Sequence, residues 1–355
     1  MIKIGIVGTG GIADWHVTEF QKNKNSTVVA ACDISSDRLN AFCDKFNIKE
    51  RYNSVEELLD KADIDAVTNT TPDSFHKDIS IQVINKNKHI FCEKPLAENY
   101  QDAKEMCDAL KNKNLVNMVN FSYRNSSGYQ ELVKTVQSGK IGNIIHMDAN
   151  YYQSWLSSKY WGDWKTQDKW LWRLSTNHGS MGTLGDIGVH IFDFASFPIG
   201  PINKLNARLK TFQSKGEKIK DYILDANDTF ISMIEFENGA LGTITSTRFA
   251  TGYSNRLELR IFGDKGAVKI EFDDPLTEGN QFMFTDDINR EFTSRKDKLK
   301  WEKIETTPTM NNFEKFIDSI KNNKNHEPNF QRGAEIQNIL DKCSKSSLLN
   351  SWVDI

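Results

Sequence analysis

The sequence predicts an α/β chain in two parts: an N-terminal doubly wound parallel sheet of the Rossmann type, then an α+β part with a mostly antiparallel open sheet. Three observations predict it. Over the first 120 residues, short apolar runs alternate with longer amphipathic stretches, the mark of βαβ units. A glycine-rich turn follows the first apolar run directly. After about Tyr123 the rhythm gives way to β-prone and aromatic runs joined by hairpin signals. A chain of 355 residues has room for two domains. The change of rhythm divides it into 1–122 and 123–355, with the last helix able to pack back on the first domain.

The elements follow in order. Ile2 to Val7 reads as a buried strand, Ile12 to Gln21 has helical spacing, and Val28 to Cys32 is a second strand. Ser54 followed by Glu57 is a capping box opening another helix. Asp65 to Asn69, Ile90 to Cys92 and Val116 to Val119 read as strands, with helices at His76 to Asn85 and Ala97 to Lys111 between them. In the second part, a helix at Gly128 to Gln137 leads into a long β-prone run, Ile144 to Trp155. Thr229 to Phe236 and Leu241 to Phe249 are joined by Asn238-Gly239, a hairpin signal; Leu257 to Phe262 and Ala267 to Phe272 are joined by Asp264, Lys265 and Gly266. Helical patterns at Asn312 to Lys321 and Arg332 to Leu349 close the chain.

Composition removes several functional classes. Forty-five basic against 48 acidic side chains, net -3, make no field for a polyanion, so nucleic acid is not an expected partner. No run reaches the 18 apolar residues of a membrane span, and MIKIGIVG lacks the plan of a signal peptide. A cytoplasmic protein is the expectation. Five cysteines without a CxxC pair read as reduced thiols, with neither a disulfide framework nor a thiolate zinc site.

Gly8, Gly10 and Ala13 form a G-x-G-x-x-A fingerprint between the first strand and the first helix, with Gly11 and Ile12 inside it. Gly8 allows the tight turn, Gly10 the approach of a pyrophosphate, and Ala13 close packing of helix on strand. Asp33 ends the second strand, 23 residues after Gly10, where a carboxylate accepts hydrogen bonds from an adenosine ribose. The same charge repels a 2′-phosphate, so NAD is the expected cofactor; Arg38 nearby keeps NADP open.

Three further motifs carry chemistry. Glu93-Lys94-Pro95 follows a strand at the carboxyl edge of the sheet, where Lys94 can stabilise a developing alkoxide. Thr70-Thr71-Pro72-Asp73-Ser74-Phe75-His76 is a second loop at that edge, and Thr71, Pro72 and His76 read as lining the nicotinamide end. In Gly182-Thr183-Leu184-Gly185-Asp186-Ile187-Gly188-Val189-His190, a helix would put Asp186 and His190 at i and i+4, a carboxylate beside a proton-transfer group. Asp193 raises the thought of a metal, but no second histidine stands in register, and no metal is expected.

Together GIVGTGGIAD, TTPDSFH, FCEKPLA and GTLGDIGVHIFD resemble the Gfo/Idh/MocA family of NAD(P)-dependent sugar and polyol oxidoreductases. The resemblance implies that Lys94 and His190 are catalytic, that Asp186 is the family's second-domain aspartate, and that Glu93 touches the nicotinamide ribose. It also implies a cis Lys94-Pro95 bond. One departure stands out: Gly179-Ser180-Met181-Gly182 replaces a frequent Gly-Gly-Gly run. The expected reaction passes hydride from a secondary alcohol to the cofactor, with His190 as base, Lys94 polarising the oxygen, and Asp186 orienting His190 or binding a neighbouring hydroxyl.

Five of the eight tryptophans, Trp155, Trp161, Trp164, Trp170 and Trp172, fall within 18 residues. Rings stack on the C–H faces of sugars, so this stretch, with Tyr152, Trp172 and Arg173, reads as a substrate region, although any single tryptophan is more often core. A tryptophan-arginine pair at this place is familiar among family members acting on sugars. Tyr123 and Arg124 at the domain junction join Asp186 and His190 as expected substrate contacts. An uncovered sheet face and the resemblance suggest a homodimer or homotetramer. Two alternatives stay open: a redox-neutral glycosidase using bound NAD, and a non-catalytic cofactor-binding regulator of the same fold.

Overall fold

The computed structural model describes residues 1–178, 181–213, 215–273, 281–286 and 300–355. Gly179 and Ser180, which carry the departure noted above, lie outside the described residues. The chain separates into two compact units: Met1–Ser122 with Met310–Gln337, and Tyr123–Thr309 with Asn338–Ile355.

The first unit opens with β1 (Ile2–Val7), α1 (Ala13–Lys22), β2 (Ser26–Cys32), α2 (Ser36–Phe46), β3 (Glu50–Tyr52), α3 (Val55–Lys61), β4 (Ala66–Asn69), α4 (His76–Asn85), β5 (His89–Cys92), α5 (Tyr100–Ala109) and β6 (Asn117–Val119). The strands make one parallel sheet in the order β3-β2-β1-β4-β5-β6, reversing direction of growth beside β1. Burial on both faces explains why the strands read as unbroken apolar runs. β3 and α2 were not legible in the sequence: β3 is three residues long, and its side chains are half-exposed or exposed. Ser54 accepts from the Glu57 amide at 3.1 Å, the cap expected at the start of α3.

The second unit contains α6 (Ser127–Gln137), β7 (Ile144–Gln153), α7 (Asp168–Leu171), α8 (Val189–Ser196), β8 (Ile202–Lys210), and the two-residue strands β9 (Lys218–Ile219) and β10 (Tyr222–Ile223). There follow β11 (Thr229–Phe236), β12 (Leu241–Thr247), β13 (Asn255–Gly263), β14 (Ala267–Phe272), β15 (Gln281–Thr285) and β16 (Glu302–Lys303). Helices α9 (Asn312–Asn322) and α10 (Phe330–Leu349) and the short β17 (Val353–Asp354) end the chain. Among the described residues the large sheet runs β16-β15-β14-β13-β7-β12-β11-β8-β17. It is antiparallel except at its centre, where β12 pairs parallel with β7. Asn238-Gly239 does join β11 to β12, with Gly239 at φ +86°.

The first core gathers Ile4, Ile6, Val17, Phe20, Phe42 and Phe91 with Phe313, Phe316 and Ile317 of α9. Phe91 and Phe313 stack with centroids 4.9 Å apart, and Phe20 meets both rings edge-on. Burying each such ring stabilises by about 2–3 kcal/mol, which is why α9, distant in sequence, belongs to this unit. An Asn311–Glu314 capping box sets where α9 starts.

Candidate active site

Strand register builds the cofactor side. Val7 pairs with Cys32 and Asn69, and Asn69 pairs with Cys92. The residues one step beyond, Gly8, Asp33, Thr70 and Glu93, therefore stand in a row along the carboxyl edge at the point where strand order reverses, the place open α/β sheets use for ligands.

Gly8 has φ +89°, and a Cβ there would lie 2.9 Å from backbone atoms of Thr70 and Thr71, so only glycine lets the two turns meet. A Cβ on Gly10 or Gly11 would meet nothing within 4 Å: that side is open, and Gly10, Gly11 and Ile12 are exposed before α1. Ala13 is fully buried, as close packing of α1 requires. This open, glycine-walled helix start fits a pyrophosphate.

The Asp33 carboxylate accepts from the Thr9 amide (2.9 Å), the Thr9 hydroxyl (2.8 Å), the Ser35 amide (2.8 Å) and Arg38 Nη2 (2.7 Å). Burial alone would raise its pKa; the Ser35 and Thr9 amides and Arg38 outweigh that and hold it below the usual range. Arg38 is thus engaged by the Asp33 carboxylate while 57 % of its side chain stays exposed.

Glu93 is buried, with Oε1 2.7 Å from His16 Nε2 and accepting from Asn120 Nδ2 at 2.6 Å. Burial pushes its pKa up, but His16, Asn120 and Lys94 prevail and bring it to about 2. His16 Nδ1 lies 2.7 Å from the Thr68 hydroxyl. His16 was missed in the sequence; the signal was a histidine on the face of α1 otherwise given to Ala13, Val17 and Phe20. Lys94 follows, half-buried, and its bond to Pro95 is cis.

His76 was expected to line the nicotinamide end. It is instead buried at the start of α4, its Nδ1 2.7 Å from the Pro95 carbonyl and its Nε2 2.9 Å from the Thr71 carbonyl. Both neighbours are acceptors, so only the imidazolium satisfies both. Burial opposes that charge, but the Cys92 sulfur and the two carbonyls raise the pKa to about 9. His76 ties the Thr71-Pro72 turn to the Lys94-Pro95 turn; Thr71 also donates to Asn69 Oδ1 at 2.7 Å, and Pro72 is exposed.

In the second unit, Gly182 takes φ +64° against the backbone of Asn227, where a Cβ would come within 2.4 Å of a carbonyl oxygen. Asn227 fastens this turn, accepting from the Leu184 amide at 3.0 Å and donating to the Met181 carbonyl at 2.5 Å. Leu184–Gly188 then winds as one π-type turn, the Val189 amide bonding back to Leu184, before α8 begins. The plain α-helical spacing expected for Asp186 and His190 is corrected accordingly; such a turn re-aims side chains and recurs at functional sites. His190 is buried and packs on the Tyr123 ring, centroids 4.5 Å apart, while the Tyr123 and Tyr151 hydroxyls hydrogen-bond.

Asp186 Oδ2 accepts from Arg248 Nη2 at 2.7 Å and lies 3.4 Å from Arg173 Nε. Arg173 lies over the Trp172 ring, 4.3 Å from its centroid, and donates to the Lys169 carbonyl. Arg248 was not read from the sequence. It continues the buried alternation of Gly242, Ile244 and Ser246 in β12, so an arginine at core-facing parity was the available signal.

Two expected substrate contacts are placed elsewhere. Arg124 is buried in a two-pronged pair with Asp193 (2.7 and 2.5 Å) and lies over Phe197 at 3.6 Å. Tyr152, next to Tyr151 in β7, faces the opposite side of the sheet and packs on Tyr253 at 5.6 Å. Strand alternation forces that separation. The tryptophan stretch is largely a small core of its own, Trp155 and Trp164 with Leu156, Leu171, Leu174 and Leu224, on which Trp161 and Trp170 stack. Among the described residues no cluster suits a metal ion, and no helix is long and apolar enough to cross a membrane.

Residues 2–121 match the oxidoreductase family model GFO_IDH_MocA, NAD-binding Rossmann fold, and residues 129–269 match the GFO/IDH/MocA C-terminal domain. The chain belongs to the Gfo/Idh/MocA family. It is 27% identical to levoglucosan dehydrogenase of Pseudarthrobacter phenanthrenivorans, over 88% of this chain and 85% of that one. It is 26% identical to myo-inositol 2-dehydrogenase of Thermotoga maritima, over 75% and 74% of the two chains. A solved structure of levoglucosan dehydrogenase with NADH and L-sorbose superposes with TM-score 0.85 at 25% identity, covering 100% of this chain and 98% of that one. An oxidoreductase domain protein from Kribbella flavida superposes with TM-score 0.87 at 26% identity, covering 100% and 99%. This Gfo/Idh/MocA member is an NAD-binding oxidoreductase whose first unit carries the family's Rossmann fold.

Proposed function

We propose that this protein oxidises a secondary alcohol of a sugar or cyclic polyol with NAD. The observation that carries the reading is the near full-length similarity to levoglucosan dehydrogenase, with Lys94, Asp186 and His190 standing in the motifs that resemble the family's. Bound NAD supplies the hydride acceptor. Asp33 holds the adenosine ribose and Glu93, ionised at neutral pH, the nicotinamide ribose. The Lys94 ammonium stabilises negative charge growing on the substrate oxygen as the C–H hydride leaves. His190 takes the hydroxyl proton and returns it to solvent, so alcohol and NAD become carbonyl, NADH and a proton. Asp186, Trp172, Arg173 and Tyr123 are the substrate contacts in this reading; Arg124 and Tyr152 have other duties. The five cysteines stand as free thiols, which suits action in the cytoplasm. Ile231, Met233 and Leu241, all about half-exposed on the large sheet, support self-association through a second copy, to be checked by light scattering.

The test is to offer NAD with levoglucosan, myo-inositol, glucose 6-phosphate and related polyols and to follow NADH. Lys94→Ala and His190→Ala should abolish turnover while NADH still binds. Near-normal turnover in either variant refutes the assigned roles, and release of nitrophenol from a nitrophenyl glycoside without net NADH would point to the redox-neutral glycosidase.

A further inference from the structure

Arg248 has no exposed side-chain surface, and removing a guanidinium from water costs several kcal/mol before any partner is counted. It is held on three sides. Nη2 donates to Asp186 Oδ2 at 2.7 Å, Nη1 donates to the Arg173 carbonyl at 3.2 Å, and the Trp155 ring lies 4.9 Å below. Its backbone is pinned as well, the Arg248 amide donating to the Asp228 carbonyl at 3.1 Å and the Leu156 amide to the Arg248 carbonyl at 3.2 Å.

Stability is a poor reason for this arrangement. Nε is buried with no hydrogen-bond partner among the described residues, so one donor is left unsatisfied. Buried ion pairs can often be replaced by apolar side chains at no loss. Burial lowers the Arg248 pKa to about 10, partly offset by Asp186, so the group still carries its charge at neutral pH. What the pair does achieve is to fix one oxygen of Asp186 in place, with Arg173 Nε a second cation 3.4 Å from the same atom.

We propose that Arg248 is the positioning residue of Asp186: clamped between the Trp155 ring and the Arg173 carbonyl, it holds that carboxylate as a fixed, ionised acceptor for a substrate hydroxyl. With Asp186 Oδ2 taken up by Arg248 and Arg173, proton removal is left to His190. The tryptophan stretch then acts on substrate recognition indirectly, as the floor under Arg248. The inference rests on the dehydrogenase reading above.

The test is a double-mutant cycle on kcat/KM for whichever of levoglucosan, myo-inositol and glucose 6-phosphate the wild-type protein oxidises. Arg248→Met should lose about 100-fold, the scale of a misplaced catalytic group. NADH affinity, read by fluorescence, should be unchanged. Arg248→Lys, which keeps the charge and guards against a folding failure, should recover part of the loss. Because Arg248 acts through Asp186, the double variant Asp186→Asn/Arg248→Met should be no slower than Asp186→Asn alone; a merely structural role would make the losses add. Additive losses, or Arg248→Met within about threefold of wild type, overturn the proposal while the dehydrogenase reading stands. A wild-type protein that oxidises no polyol overturns both.

Discussion

Replacing His76 by glutamine removes a buried group whose charge satisfies two carbonyls at once. His76 is raised from 6.5 to about 9, so its contribution to stability is fully present below pH 6.5 and is lost as pH climbs through 9. The difference of 2.5 units, at 1.36 kcal/mol each, sets a ceiling of about 3 kcal/mol, with about 2 kcal/mol already gone at pH 8. Glutamine does not titrate in this range. Thermal melts of wild type and His76→Gln from pH 6 to 10 should therefore show a gap in midpoint that is widest at pH 6 and closes toward pH 10. NADH affinity should weaken over the same interval in wild type only, because His76 joins the Thr71 and Pro95 turns. A gap independent of pH would refute the doubly donating imidazolium.

Gly8→Ala should abolish NADH binding and lower the melting temperature: the left-handed backbone costs about 1–2 kcal/mol and the 2.9 Å overlap with Thr70 and Thr71 a similar amount, measurable by titration and melting. Asp33→Ser should weaken NADH binding by about 1.5 kcal/mol, roughly tenfold, and improve NADPH binding as Arg38 is released; paired titrations read the ratio. Arg124→Met should cost about 3–5 kcal/mol in urea unfolding by taking the guanidinium away from the buried Asp193 carboxylate, with KM of the folded fraction unchanged. A raised KM at unchanged stability would return Arg124 to the substrate.

The cofactor side was legible because its chemistry is local. Gly8, Gly10 and Ala13 sit within six residues and Asp33 ends the next strand, so one βαβ unit contains the whole signal. The second motif was legible as a string but not as geometry: the π-type turn at Leu184–Gly188 depends on Asn227, about 40 residues on, fastening Met181 and Leu184. Arg124 looked available because an arginine beside a tyrosine at a junction gives no sign of Asp193, 69 residues away.

By itself the sequence determined the two-part plan, the parallel sheet and the glycine turn after the first strand, because periodicity and short motifs are set by neighbours along the chain. Only the tertiary structure decided which polar groups are spent on one another. His16 went to Glu93, His76 to two carbonyls, Arg124 to Asp193 and Arg248 to Asp186. The physical reason is that a buried charge must find its partner wherever the fold brings one, and that distance is not written in spacing.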